Sequence, residues 1–266
     1  MDSNAVCAVL FVIIGVALTA IAPYFNAMSM DFVLRGLDVD FGASRSCGSV
    51  AYSLTSLAMG AALERLAPTL ILPVFLVISA ALLAALLLFR YPLPPPPEAA
   101  ASNAPASLSG TALLRRYPRF ALLLAACFLL IGSQTTLGTF MIQTAGKLGG
   151  GESVTGTAYF LSAFSELPAM LLFARVRRKF SLRTLLMFSG VFCVIRTTCF
   201  LLAGSVPMLY VACALQFFAY AVMALATVYY VAEELDSANQ AKGQSLTYIL
   251  PSGVGAAFGS FVGGWL

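Results

Sequence analysis

Of 266 residues, 60% are hydrophobic and only 10% charged, with a net charge of +4. Soluble domains carry roughly 25% charged residues, so too few charges are present to cover a soluble core, and the bilayer must solvate most of the surface. The positive charge is modest and gathered in loops, so it gives no reason to expect a nucleic-acid partner.

A spanning helix needs about 20 mostly apolar residues. Spans are predicted at 4–28, 46–63, 68–89, 118–142, 154–174, 183–203, 208–232 and 243–266. The 46–63 span is short and is expected to start earlier, which draws Arg45 into the membrane. The start lacks the basic n-region of a signal peptide, since its first charge is Asp2. Eight spans place the loops alternately on two sides. One side holds Arg35, Arg45, Arg90, Arg115, Arg116, Arg119, Arg175, Arg177, Arg178, Lys179, Arg183 and Lys242; the other holds Arg65 and Lys147. The excess of basic residues makes the first side cytoplasmic.

In chain order, the first candidate is Asp31, after the first span, either at a cavity mouth or as a solvated loop acid. Next, Arg45, Ser49, Tyr52 and Ser56 fall at i, i+4, i+7 and i+11, on one helical face. A cation, two hydroxyls and an aromatic ring suit a wet cavity better than lipid. An Arg fork can bond neighbouring hydroxyls, and a Tyr ring offers an apolar plane to a sugar's CH face. The bland alternative makes Arg45 a headgroup anchor and Tyr52 a packing residue.

The stretch Tyr91-Pro-Leu-Pro-Pro-Pro-Pro-Glu98 runs through an Ala/Ser/Asn tract to Arg115-Arg116. Proline removes donors and fixes φ, so 91–117 is expected to be an extended, solvated cytoplasmic loop. It divides the chain into 1–90, with three spans, and 118–266, with five.

In the second part, Glu166 is the acid deepest in a span and Arg196 the base deepest in one. A charge at membrane depth costs about 2.5–3.5 kcal/mol on insertion scales. It persists when paired, wet or neutralised, and Arg196, on the next helix, is the expected partner of Glu166. Burial favours the neutral acid and a nearby guanidinium the carboxylate, which suits Glu166 to carry a proton; a purely structural tie is the alternative. Ser162 lies one turn away on the same face. Gln216 and Tyr220 could donate to substrate hydroxyls or act as helix–helix glue. Gly255, Gly259 and Gly263 form a small-xxx-small stripe, read as close helix packing. Cys7, Cys47, Cys127, Cys193, Cys199 and Cys213 form no CxxC pair and His is absent, a pattern that implies no disulfide framework, metal or cofactor.

The segment from Asp31 to Tyr52 resembles the helix four to five passage of the lactose permease branch of the major facilitator superfamily, with Phe41-Gly-Ala-Ser-Arg45-Ser-Cys-Gly48-Ser49 matching the pattern that opens helix five there. Ser165-Glu166-Leu-Pro168, the basic run Arg175 to Lys179, and Val194-Ile-Arg196 resemble helices eight and nine of the same branch. There, a membrane Glu and a membrane Arg belong to the binding and coupling site. The resemblance implies an all-α helical bundle with two six-helix halves around a long cytoplasmic loop. On it, the chain covers helices four to eleven of twelve: 1–90 is a partial first half, helices four to six, and 118–266 a partial second half, helices seven to eleven. A genuine eight-helix protein is the alternative. The sequence departs from the branch on helix ten, where Gln216 and Ala219 stand at the positions of a coupling His and Glu. On helix seven, Asp residues of the branch find no match among Gln134, Thr135 and Thr136.

The resulting expectation is a multi-pass plasma-membrane transporter, not an enzyme, and monomeric when complete. It would move a small polyhydroxylated solute such as a sugar or oligosaccharide by alternating access, coupled to protons. Arg45, Ser49, Tyr52, Gln216 and Tyr220 would bind substrate; Glu166, Arg196 and Asp31 would serve coupling. A nucleoside or aromatic acid is the alternative substrate, and an inactive fragment the alternative state.

Overall fold

The computed structural model describes residues 10, 13–15, 25, 32, 41–89 and 108–265. Most of the predicted span 4–28, Asp31 and the segment 90–107 lie outside the described residues.

The described residues are almost all helical. Helix α1 is Phe41–Arg65, and a 3-10 turn at Pro68–Leu70 leads into α2, Ile71–Leu88. Then come α3 (Gly110–Arg116), α4 (Pro118–Thr139), α5 (Met141–Lys147), α6 (Glu152–Arg177) and α7 (Leu182–Leu201). The next span is broken into α8 (Val206–Ala214), a 3-10 turn at Leu215–Phe217, and α9 (Tyr220–Glu234). The last runs through α10 (Ser237–Tyr248), a π-helical stretch at Ile249–Gly255, and α11 (Ala256–Trp265). No strand occurs among the described residues.

Six described segments are long and apolar enough to cross a membrane: 71–88, 118–139, 152–177, 182–201, 206–234 and 238–265. They coincide with six of the predicted spans. Helix α1 starts at Phe41, ahead of the predicted 46, and so takes in Arg45 as expected. At 25 residues it is long enough to span, but its serines and Arg45 dilute its apolarity, and it is not one of the six. It compensates by packing along α6. Helix α2 is the opposite case. Its mean hydropathy is 2.9 and none of its residues is buried, so lipid tails suit its surface.

Sequence detail sets the local geometry. Ser109 and Ser181 cap α3 and α7 by accepting from the backbone N–H of Ala112 and Thr184, at 3.3 and 3.2 Å. Pro118 sits in the first turn of α4, where no donor is missed. Pro168 lies inside α6 and removes the amide proton that would bond the carbonyl of residue 164. The glycine stripe packs as expected. A Cβ on Gly255 would lie 3.0 Å from the Phe128 carbonyl, and one on Gly259 would lie 2.0 Å from Thr136 Oγ1. The last span therefore meets α4 backbone to backbone.

The expectation of an extended loop over 91–117 needs correction at its end. Residues 110–116 form α3, and Leu113 is fully buried with Phe120, Leu124, Val231 and Leu235. The Leu108 N–H donates to Asn239 Oδ1 at 2.9 Å, and Tyr117 donates to Asp236 Oδ2 at 2.6 Å. Proline content dominated the reading of the loop; past the prolines, an apolar Leu and a serine cap suffice for a docked helical turn. Sidedness can be checked directly. Protease added to inverted vesicles should cut between Arg90 and Leu108, and added to right-side-out vesicles should leave that segment intact. The reverse pattern would overturn the orientation.

Candidate functional site

Helices α1 and α6 run antiparallel and cross at glycine. A Cβ on Gly156 would lie 2.6 Å from the Ser56 carbonyl and 2.7 Å from the Gly60 Cα. This contact leaves no room for side chains, so the polar residues on either side of it are brought together. One direction along the pair leads to Tyr52 and Tyr159, whose rings meet edge to face at 6.4 Å. The Tyr159 hydroxyl donates to the Gly138 carbonyl at 2.7 Å, which fixes that ring. The two tyrosines, with Ser56, Thr155 and Glu152, help line a mostly apolar cavity of about 320 Å³.

Farther along α6 lies Glu166, which is 6% exposed. Ser49 of α1 donates to its Oε2 at 3.3 Å, and Gln216 donates through Nε2 to its Oε1 at 2.6 Å. Gln216 reaches it because the α-helix is interrupted there: α8 stops at Ala214, and the 3-10 turn carries Gln216 before α9 begins. A break in an α-helix at membrane depth is tolerated where it is buried in protein or lines a cavity. The carboxylate thus joins α1, α6 and the broken span. Both contacts are donated to it, which is the pattern of an ionised acid. A hydroxyl and an amide can also accept by rotating, so the same two partners fit a protonated Glu166.

Arg45 interacts electrostatically with both Glu166 and the Tyr220 hydroxyl. The expected face of α1 is therefore split. Arg45 and Ser49 turn to the Glu166 centre, and Tyr52 and Ser56 to the cavity. Tyr52 is 53% exposed.

The expected direct tie between Glu166 and Arg196 is not formed. Arg196 feels the Glu166 charge at longer range, but its own bonds are elsewhere. Its Nε donates to the Ala212 carbonyl at 3.1 Å, its Nη1 donates to Gln134 Oε1, and its guanidinium lies 5.2 Å from the Phe200 ring centre. The reason is the break between α8 and α9. It presents an amide to Glu166 and, four residues earlier, a backbone carbonyl to Arg196, so each charge is satisfied by a neutral neighbour. Asp31 lies outside the described residues.

Gln134 was noted in the sequence only as a position without the branch's Asp and was given no role in the site. It is 7% exposed and also donates to Thr197 Oγ1 at 3.2 Å. An amide beside Ser133, Thr135 and Thr136 within a predicted span was the available signal. The Gly60–Gly156 crossing was also missed, although Ser56 and Gly60 have the small-xxx-small spacing.

No curated protein sequence and no solved structure shows a significant match to the chain. A family model, the MFS_1 like family, matches residues 2–266. That match takes in every helix described above, and it agrees with an all-α bundle whose polar side chains converge inside the membrane. The chain belongs to the MFS_1 like family of the major facilitator superfamily, a family of multi-pass membrane transporters of small molecules.

Proposed function

We propose that this protein moves a small polyhydroxylated solute, a sugar or oligosaccharide, across the plasma membrane by alternating access, with proton coupling. On this reading it belongs to the lactose permease-like branch, its spans correspond to helices four to eleven of twelve, and the complete protein is a monomer. The observation that carries the reading is the Glu166 centre. A buried carboxylate is held by two neutral donors, Ser49 and Gln216, that can switch to acceptors. Such a group can take and release a proton without losing its partners, which is what coupling requires. Arg45, Ser49, Tyr52, Gln216 and Tyr220 supply hydroxyl, amide, guanidinium and ring surface, the chemistry that holds a polyol. Helix α1 belongs to the first half of the bundle and α6 to the second, so a solute bridging them would feel the halves rock.

The exposed Tyr52 beside the anchored Tyr159 favours one second reading, a solute with an aromatic ring such as a nucleoside or aromatic acid.

Arg45→Ala tests the site. In the full-length protein it should reduce sugar binding by about tenfold or more, since hydrogen bonds to a charged group are worth about 1.5–3 kcal/mol. The protein should still reach the membrane in normal amount. Isothermal titration of purified protein checks it, and unchanged binding would make Arg45 a headgroup anchor.

A further inference from the structure

The cavity beside the Gly60–Gly156 crossing has a polarity of its own. Tyr52 and Met59 of α1 and Ile71 of α2 line it together with Ile142 of α5 and Tyr159 of α6. The crossing explains the space: glycine on both helices holds the backbones together, and the large side chains stand around short ones at Ser56 and Thr155. At one end the Tyr52 and Tyr159 rings, at 82° to each other, make two walls of an aromatic corner. At the other end is Glu152, the only charged residue in the lining. It lies seven residues before Tyr159 on α6. Seven residues are close to two turns, so both sit on one helical face, about 10 Å apart along the axis.

These groups select a ligand. Thr155 donates its hydroxyl proton to the Gly151 carbonyl at 3.1 Å, and Tyr159 donates to the Gly138 carbonyl at 2.7 Å. Both donors are taken, so an anion gains nothing from them. The Glu152 side chain is half-buried, and among the described residues it forms no hydrogen bond and no ion pair. Arg65 and Lys147, the basic residues at this end of the bundle, are exposed and lie outside the lining. A carboxylate at one end, two rings at the other and apolar walls between them suit an amphipathic cation. The size agrees. An apolar cavity of about 150 Å³ holds benzene, and one of about 320 Å³ has room for a phenyl ring with a short chain.

We propose that this cavity binds an arylalkylammonium ion, with its ring in the Tyr52–Tyr159 corner and its ammonium on Glu152. The span of about 10 Å, less a hydrogen bond at one end and a ring contact at the other, is bridged by a ring and a chain of about three carbons. The ring packs edge to face or offset on the tyrosines. The ammonium donates to the carboxylate oxygens, a charge-assisted bond. Ser49, Glu166 and Gln216 are not in the lining, so this site is separate from the Glu166 centre and stands whether or not the transported solute is a sugar. The ligand touches α1 and α6 beside their closest approach, so its binding holds the two helices together.

The test is isothermal titration of purified full-length protein with four matched probes: 3-phenylpropylammonium, 3-phenylpropan-1-ol, 3-phenylpropanoate and propylammonium. The arylalkylammonium should bind about fivefold or more tighter than the alcohol, the scale of an ion pair at a half-buried carboxylate, and tighter than propylammonium by a similar factor, the scale of an aromatic contact. Glu152→Gln should bring the amine down to the affinity of the alcohol and leave the alcohol unchanged, which also reports that the variant is folded. Tyr52→Ala should weaken both, because both place a ring in the corner. Glu64→Gln removes an exposed acid of α1 outside the lining and should change nothing. Equal affinity for amine and alcohol, or no binding of the amine, overturns the proposal. Tighter binding of 3-phenylpropanoate overturns it in favour of an aromatic acid. Propylammonium binding as tightly as the arylated amine, or Tyr52→Ala without effect, removes the aromatic corner and overturns it as well. So does a Glu152→Gln protein that keeps the preference for the amine, or a Glu64→Gln protein that loses as much of it, since the charge would then be read elsewhere.

Discussion

Glu166→Gln should bring proton-driven uphill uptake down to background while leaving exchange of substrate across the membrane measurable. The acid is 6% exposed, and its oxygens bond Ser49 and Gln216. Glutamine has the same shape and keeps one oxygen and one donor, so Ser49 can still donate and Gln216 can turn its amide over. The stability cost should then be small, about 1 kcal/mol, the net worth of a typical hydrogen bond. What glutamine cannot do is carry a proton. The measurement is substrate-induced alkalinisation outside vesicles that hold the full-length protein. Normal proton movement per substrate in the variant would move the coupling role to another group, Asp31 being the next candidate. Arg196→Ala should damage folding more than Glu166→Gln. It strips the Gln134 oxygen and the Ala212 carbonyl of their donor, and each buried group left unpaired costs about 1–3 kcal/mol.

Gly156→Val should have a large structural effect. Its Cβ alone would lie 2.6 Å from the Ser56 carbonyl and 2.7 Å from the Gly60 Cα. Both are backbone atoms, which cannot rotate away, so α1 and α6 must separate. Overpacking costs typically about 1–3 kcal/mol, occasionally more, and here the separation also pulls Ser49 from Glu166. A lower melting temperature and lost substrate binding should appear together. Gly190→Ala is the control: its Cβ would meet only Leu130 Cδ1, at an ordinary 3.6 Å. In the middle of α7, alanine also lowers the entropy of the unfolded chain, so stability should hold or rise slightly. If Gly156→Val is as stable as Gly190→Ala, the α1–α6 contact is looser than described.

The sequence by itself determined the fold class, because hydropathy over about 20 residues is a local sum, and a bilayer admits little but helices for such segments. It determined six span positions to within a few residues, the inclusion of Arg45 in the helix before Tyr52, and Glu166 as a buried acid. It also signalled close packing at Gly255 and Gly259, since only small residues let backbones meet. The sequence could not determine partners. Hydropathy reports depth in the membrane but not azimuth around a helix axis, and charge counting suggests pairs by sign alone. Glu166 and Arg196 were matched on that basis, whereas the tertiary structure gives each a neutral partner. What decided it is the break at Leu215–Phe217, which turns Gln216 toward one charge and leaves the Ala212 carbonyl for the other. Gln134 became significant for the same reason: an amide reads as modestly polar in any span, and only the packing of α4 against α7 places its oxygen on a buried guanidinium.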